Sequence, residues 1–302
     1  MSAIITVDWG TTRFRAARLD ASGAVLEAIE DPRGGILQMT GEATGFERYL
    51  ADKLGPWLGD APVLMAGMIG SRQGWIETPY VEAPASLSAI AGKLQRVPFA
   101  AAPAFVVPGV VCRAASGALD VMRGEETQIL GAMALESIEQ GLIVLPGTHS
   151  KWTRVENGQI TGFATSMTGE LFDLLGTHGL LARTMTPGAF DGTSFLAGVE
   201  RARAPGGLSH LLFGVRTEGL LNGLSGEGQH NFLSGLLIGA EIAGMRSLDP
   251  DAGAAYVIAS SELAKRYGLA LTHFDITATI LSGETCAHAG LLALAQHAEL
   301  LS

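Results

Sequence analysis

The sequence predicts an α/β protein built from two similar domains. Three observations lead there. Strand-like and helix-like segments alternate along the chain, the pattern of α/β architecture. A three-strand unit with a Gly-Thr turn occupies residues 4–29 and recurs, in the same order, over 142–164. The chain has 302 residues, 47% of them hydrophobic, enough for two cores.

The first unit opens on residues 4–8, an apolar run ending in an acid. Gly10-Thr11-Thr12 turns the chain, 14–20 returns, Ser22-Gly23 turns it again, and 24–29 makes a third strand. The second unit repeats the plan. Residues 142–145 form the first strand, Gly147-Thr148-His149-Ser150 the turn and 152–156 the return, before the hairpin signal Asn157-Gly158 and a strand over 159–164. The repeat is far too long for a solenoid and points to a duplicated domain.

Between the units, 62–66 reads as a buried strand leading into Gly67-Met68-Ile69-Gly70-Ser71-Arg72-Gln73-Gly74-Trp75. Short strands over 105–107 and 110–112 flank Pro108-Gly109. Residues 124–138 read as a helix whose apolar face is Ile129, Leu130, Met133 and Ala134. Further on, the pattern predicts a helix over 231–245, where Gly235 and Gly239 permit close packing, a strand over 256–259, and helices over 262–267 and 284–297. The domain change is placed just before the residue-124 helix, giving domains 1–120 and 121–302.

Net charge is -10 and the pI about 5.2. A nucleic-acid protein usually carries a basic footprint, so that class is excluded. Any phosphate or carboxylate site must be built locally, from backbone N–H groups, a metal or a few basic residues. Cys112 and Cys286, the two cysteines, suit a reducing compartment. The first residues lack the basic region of a signal peptide, and no stretch reaches the roughly 18 uncharged apolar residues of a membrane helix. The expectation is a soluble cytoplasmic protein that binds neither nucleic acid nor membrane. The oligomeric state stays open, a homo-oligomer included.

Four stretches could carry chemistry. Asp8, a strand-end acid, can hold hydrated Mg²⁺, while the N–H groups and hydroxyls of Gly10, Thr11 and Thr12 can meet phosphate oxygens. An ordinary Asp-initiated hairpin is the plain alternative. The second turn offers Gly147, Thr148 and Ser150, with Lys151 following; the pairing of two such turns favours phosphate binding. Glu125 and Glu126 open a helix, where acids either cap the dipole or supply a general base to a hydroxyl attacking a γ-phosphoryl group. In the loop around residue 72, Arg72 could clamp a carboxylate and Trp75 cover a sugar-like face; a solvated surface loop is the alternative. His178 and Glu170 have weaker claims.

The duplicated hairpin plan resembles the sugar kinase/Hsp70/actin superfamily. Val7-Asp8-Trp9-Gly10-Thr11-Thr12, Ala66 to Trp75, Leu145-Pro146-Gly147-Thr148-His149-Ser150-Lys151-Trp152 and Met167-Thr168-Gly169-Glu170-Leu171-Phe172 together resemble the 2-dehydro-3-deoxygalactonokinase family. The resemblance implies two RNase H-like (actin-like ATPase) domains, each with a central five-stranded sheet, and an interdomain cleft. It implies ATP-dependent phosphorylation of 2-dehydro-3-deoxy-D-galactonate at its 6-hydroxyl, in galactonate catabolism, with ATP, Mg²⁺ and a small sugar acid as the partners. Asp8, Gly10, Thr11 and Thr12 match the first phosphate motif, and Gly147 and Thr148 the second. Glu125 stands where related kinases carry the base. Ile258-Ala259-Ser260-Ser261 stands at the adenosine segment, with Ser260 in place of a glycine. Arg72 is the first choice for the substrate carboxylate and Lys151 the second. Two rival readings are a kinase of another sugar or sugar acid, and an actin/Hsp70-type nucleotide sensor without a small-molecule acceptor.

Overall fold

A computed structural model describes residues 3–39, 43–59, 61–114, 116–248 and 252–301. The strands are β1 (Ala3–Trp9), β2 (Phe14–Asp20), β3 (Val25–Asp31), β4 (Val63–Ala66), β5 (Tyr80–Glu82), β6 (Gln95–Val97), β7 (Ala104–Val106), β8 (Gly109–Arg113), β9 (Leu119–Met122), β10 (Gln140–Leu145), β11 (Ser150–Glu156), β12 (Gln159–Ser166), β13 (Ala254–Ala259) and β14 (Thr277–Ser282). The helices are α1 (Ala43–Leu54), α2 (Leu87–Ala91), α3 (Glu125–Glu136), α4 (Thr168–Thr177), α5 (Gly192–Arg201), α6 (Gly207–Leu211), α7 (Phe213–Leu221), α8 (Gly226–Leu248), α9 (Ser261–His273) and α10 (Gly283–His297).

The duplication is visible in the sheets. One has the order β3-β2-β1-β4-β7-β6, and another β12-β11-β10-β13-β14. In both, three consecutive strands are followed by a fourth placed beside the first, and that fourth strand runs parallel to the first. β6 pairs antiparallel with β7, so the first sheet has six strands where five were expected. β5, β8 and β9 form a small third sheet.

The chain divides into two compact units. The first comprises Met1–Gln140, Arg154–Phe163 and Ser282–Ser302, the second Gly141–Thr153 and Ala164–Leu281. The boundary expected near residue 120 falls inside the first unit, because α3 packs against α10 there. In the first unit the two-residue period of β1 puts Ile5, Val7 and Trp9 on one face and Thr6 and Asp8 on the other. Ile5, Val7 and Trp9 join Phe14, Phe46 and Leu50 in the core. In the second unit Val144, Phe195, Ile238, Val257 and Leu271 form the corresponding core.

Each unit contains a helix pair in backbone contact. A Cβ on Gly290 of α10 would lie 1.8 Å from the Thr127 carbonyl oxygen, and one on Gly131 of α3 1.8 Å from that of Cys286. In the second unit a Cβ on Gly235 of α8 would lie 1.9 Å from the Phe195 carbonyl of α5, the close packing expected of that glycine. The contact between α3 and α10 corrects the expected face of α3. Ile129 and Leu130 are buried as anticipated, but Gly131 and Ala132 complete the covered face while Ala134 is exposed.

Gly290→Ala should therefore destabilise the protein, since α10 must lift off α3 to admit one methyl group. Overpacking at a backbone contact costs roughly 1–3 kcal/mol or more. Thermal unfolding reads this directly, and an unchanged Tm would show that the helix pair is free to separate.

Candidate active site

In the first unit three chain segments meet at Asp8. Asp8 pairs across β1 and β4 with Ala66, which puts Gly67 beside the strand end. Gly67 has φ 96°, and a Cβ there would lie 2.9 Å from the Trp9 carbonyl oxygen and 3.3 Å from Asp8 Oδ1. Gly124 has φ 108°, and a Cβ there would lie 3.1 Å from the Gly67 Cα. Both conformations strongly favour glycine. The stack gathers the end of β1, the end of β4 and the start of α3 into one locus.

Asp8, Arg15 and Glu30 stand in cross-strand register on β1, β2 and β3. Arg15 is shared between the two acids, with Nη1 3.4 Å from Asp8 Oδ2 and Nε 3.4 Å from Glu30 Oε1. The Asp8 side chain is 39% exposed and opens into a cavity of about 240 Å³ that Gln128, Glu284 and His288 also line. Enclosure by the surrounding protein raises its carboxyl above the usual range, and Arg15 acts in the opposite direction. The backbone carbonyls of Gly10, Thr11 and Thr12 accept N–H groups of Ile36, Leu37 and Gly35, while the side chains of Thr11 and Thr12 are exposed. Among the described residues no three His, Cys, Asp or Glu side chains cluster as a metal cage. The reachable carboxylate of Asp8 suits Mg²⁺, which keeps several waters and takes phosphate oxygens as further ligands.

The two acids at the start of α3 differ sharply. Glu126 is fully buried, and both its oxygens accept the Gly124 N–H, at 2.9 and 2.7 Å. Burial first, then the neighbouring Glu125, pushes its carboxyl up to about 8. Glu125 is partly exposed, and its Oε2 accepts the Arg123 N–H at 3.0 Å. Of the pair, Glu125 is the one that solvent reaches.

The 70–78 loop divides the expected sugar-binding residues. Arg72 is exposed. Trp75 is corrected from an open sugar platform to a core residue: it is 8% exposed and packs edge-on against Phe99, with ring centroids 6.0 Å apart.

In the second unit the turn at 147–150 is fixed by α4. The Glu170 N–H donates to the Thr148 carbonyl at 3.0 Å, and Glu170 Oε2 lies 2.5 Å from His149 Nε2. A Cβ on Gly169 would come 2.4 Å from the Gly147 carbonyl oxygen, so the helix start touches the turn backbone. Thr148 is exposed. Ser150 is corrected from a phosphate donor to a buried residue whose Oγ bonds the Tyr267 hydroxyl at 3.0 Å. Lys151 is likewise corrected from a free cation, since it is buried with Nζ donating to Thr165 Oγ1 at 2.7 Å.

Behind this turn lies a buried carboxylate that sequence reasoning missed. Glu241 accepts from the Trp152 indole N–H at 2.7 Å, the Tyr267 hydroxyl at 2.9 Å and the Thr168 hydroxyl. Burial raises its carboxyl, and these three bonds pull the other way. Its signal was an acid alone in the apolar stretch of 236–245. Beside the network is a cavity of about 230 Å³, lined by Gly147, Ser260, Phe172, His230, Ile238 and Arg266 among others. Ser260 is exposed at the start of α9, and burial, then Arg266, lowers the His230 imidazole.

Residues 8–294 match the family model for 2-keto-3-deoxy-galactonokinase. The chain belongs to that kinase family. It is 37% identical over 292 residues to the 2-dehydro-3-deoxygalactonokinase of Escherichia coli (strain K12), covering 96% of this chain and 97% of the relative. A crystal structure of a Sinorhizobium meliloti protein assigned as a 2-dehydro-3-deoxygalactonokinase superposes with a TM-score of 0.88 at 36% identity, covering 97% of this chain and 98% of that one. The activator of the 2-hydroxyisocaproyl-CoA dehydratase from Clostridium difficile, solved with bound ADPNP, shares the fold alone, at a TM-score of 0.51 and 12% identity over 98% of this chain and 96% of that one. The fold is the two-domain actin-like one that the sequence predicted. Among the described residues no helix is long and apolar enough to cross a membrane.

Glu126 makes stability depend on pH. Its carboxyl rises from an ordinary 4.5 to about 8 on folding, so the folded state keeps a proton that the unfolded state releases. The stability this gives is present below about 4.5 and is lost as pH rises towards 8. Glu126→Gln should flatten the fall in stability across that window, with a relative gain on the order of a few kcal/mol at alkaline pH. Denaturant unfolding at a series of pH values checks it; a slope equal to that of the unsubstituted protein would remove Glu126 as the cause.

Proposed function

We propose that this protein transfers the γ-phosphoryl group of ATP to the 6-hydroxyl of 2-dehydro-3-deoxy-D-galactonate, in galactonate catabolism in the cytoplasm. One observation carries the reading to residues: the Gly67–Gly124 contact sets the reachable carboxylate of Asp8 and the acid-bearing start of α3 in one locus. Family membership supports the reaction class.

Asp8 would hold Mg²⁺ through water, and the ion would supply charge neutralisation at the phosphates. The exposed hydroxyls of Thr11 and Thr12 offer donors beside it, whereas the Gly10 N–H, expected to meet phosphate, already donates to the Arg13 carbonyl at 3.0 Å. In the second unit Gly147 and Thr148 would meet phosphate oxygens, with the nucleotide's base in the cavity beside Ser260. The sugar acid's carboxylate would go to Arg72, an exposed cation on a protein of net charge -10. Glu125 is the proposed base. Being partly exposed, it can take the acceptor proton as the oxygen attacks, whereas Glu126, fully buried with its carboxyl near 8, cannot present a charged oxygen to substrate.

ADP release coupled to a panel of 2-keto-3-deoxy sugar acids tests the assignment; equal rates across the panel, or none, would overturn it. Asp8→Asn should keep the fold and lose most turnover, with near-normal kcat at saturating Mg²⁺ as the contrary result. Glu125→Gln should lower kcat by roughly 10² to 10⁴-fold with both KM values little changed. A milder loss is expected for Glu126→Gln, and the reverse order in steady-state kinetics would move the base by one residue.

A further inference from the structure

Arg123 immediately precedes the Gly124 turn, and its backbone N–H holds Glu125 Oε2 at 3.0 Å. Its side chain reaches the other way. Nη1 donates to the Thr78 hydroxyl and Nη2 to the Thr78 carbonyl at 3.0 Å. The guanidinium lies over the Tyr80 ring, 4.5 Å from its centroid. A Cβ on Gly70 would lie 2.9 Å from Nη1, so the glycine that opens the 70–78 loop is also the one that admits this guanidinium.

Thr78 is in turn the clasp of that loop. Its N–H donates to the Gly70 carbonyl at 2.9 Å and its hydroxyl reaches the same oxygen at 3.2 Å. One residue thus links the backbone carrying Glu125 to the clasp of the loop carrying Arg72. The Nε–H is buried without a partner. Burying an unmet guanidinium N–H is unfavourable, a cost that the two Thr78 bonds and the Tyr80 contact offset.

We infer that Arg123 is a positioning residue for the sugar acid: it fixes the 70–78 loop in register with Glu125, and so governs sugar-acid binding rather than nucleotide binding. The inference rests on the proposed kinase reaction. It assigns Arg123 no contact with substrate. Lysine is a poor substitute, because it lacks the planar fork that reaches two Thr78 acceptors and stacks on Tyr80.

The test compares Arg123→Ala, Arg123→Lys and Thr78→Val with the unsubstituted protein, by steady-state kinetics and peptide-level hydrogen exchange. Arg123→Ala should raise the sugar-acid KM roughly tenfold to a hundredfold, the range for a lost charged hydrogen bond, with the ATP KM within about twofold. Exchange should quicken over 68–80 and stay unchanged in α8. Arg123→Lys should recover part of the loss, and Thr78→Val should give a smaller rise of the same kind. If Arg123→Ala fails to fold, the other two variants decide. Unchanged KM values in an otherwise active protein, or equal rises in both KM values, would overturn the inference alone. An unsubstituted protein with no sugar-acid-dependent ADP release would overturn the proposed reaction and this inference with it.

Discussion

The contact between Gly67 and Gly124 is the constraint on which the first unit's candidate site depends. Two backbones at positive φ can touch only where neither residue has a side chain. That contact sets the start of α3 against the strand ends, where the dipole of a helix favours acids in its first turn. It explains why two adjacent glutamates can occupy such different surroundings. One carboxyl is folded back beneath its own turn and kept dry, and the next is left accessible. The contrast between Glu125 and Glu126 follows chiefly from burial, which raises the Glu126 carboxyl before any charged neighbour does.

The second unit solves a related problem by other means. Its Gly-Thr turn has no acid at the strand end, since Leu145 stands where Asp8 stands in the first. Order comes instead from below, through Glu241, which gathers groups from β11, α4 and α9 onto α8. A buried carboxylate with three donors has a single low-energy arrangement, because any shift leaves a polar group unmet. The turn it supports can then be held by backbone contacts, with its hydroxyl at Thr148 exposed.

Much of this was legible in the sequence. The two three-strand units, the strands over 62–66 and 256–259 and the helices that begin near 124, 231, 262 and 284 were readable because alternation and turn residues are local signals, whereas the parallel pairing of those strands and the helix α1 were not. The helices from 168 to 221 were not, since glycine-rich, weakly periodic segments form helices there through packing on α8. The site residues split along the same line. Asp8, Gly67, Glu125 and the two Gly-Thr turns sit in motifs whose backbone demands show in residue type. Trp75, Ser150 and Lys151 were misjudged because burial is decided by distant elements: the core around Phe99, the Tyr267 hydroxyl, and Thr165. Arg123 and Glu241 escaped notice for the same reason, since their partners lie 45 and 89 positions away at Thr78 and Trp152.

The crossing of α3 and α10 has a consequence for how the chain is made. The helix that covers β1 and β4, and meets α3 backbone to backbone, is encoded after the whole of the second unit. During synthesis the first unit therefore emerges with one face of its sheet bare. The core on the Ile5, Val7 and Trp9 face is built from residues 5–106, while the opposite face waits until the ribosome has delivered the other unit and then α10. Vectorial folding from the N-terminal end, the usual course for chains of several domains, can therefore complete only one face of its sheet. The second unit, nearly continuous in sequence, is free to fold first.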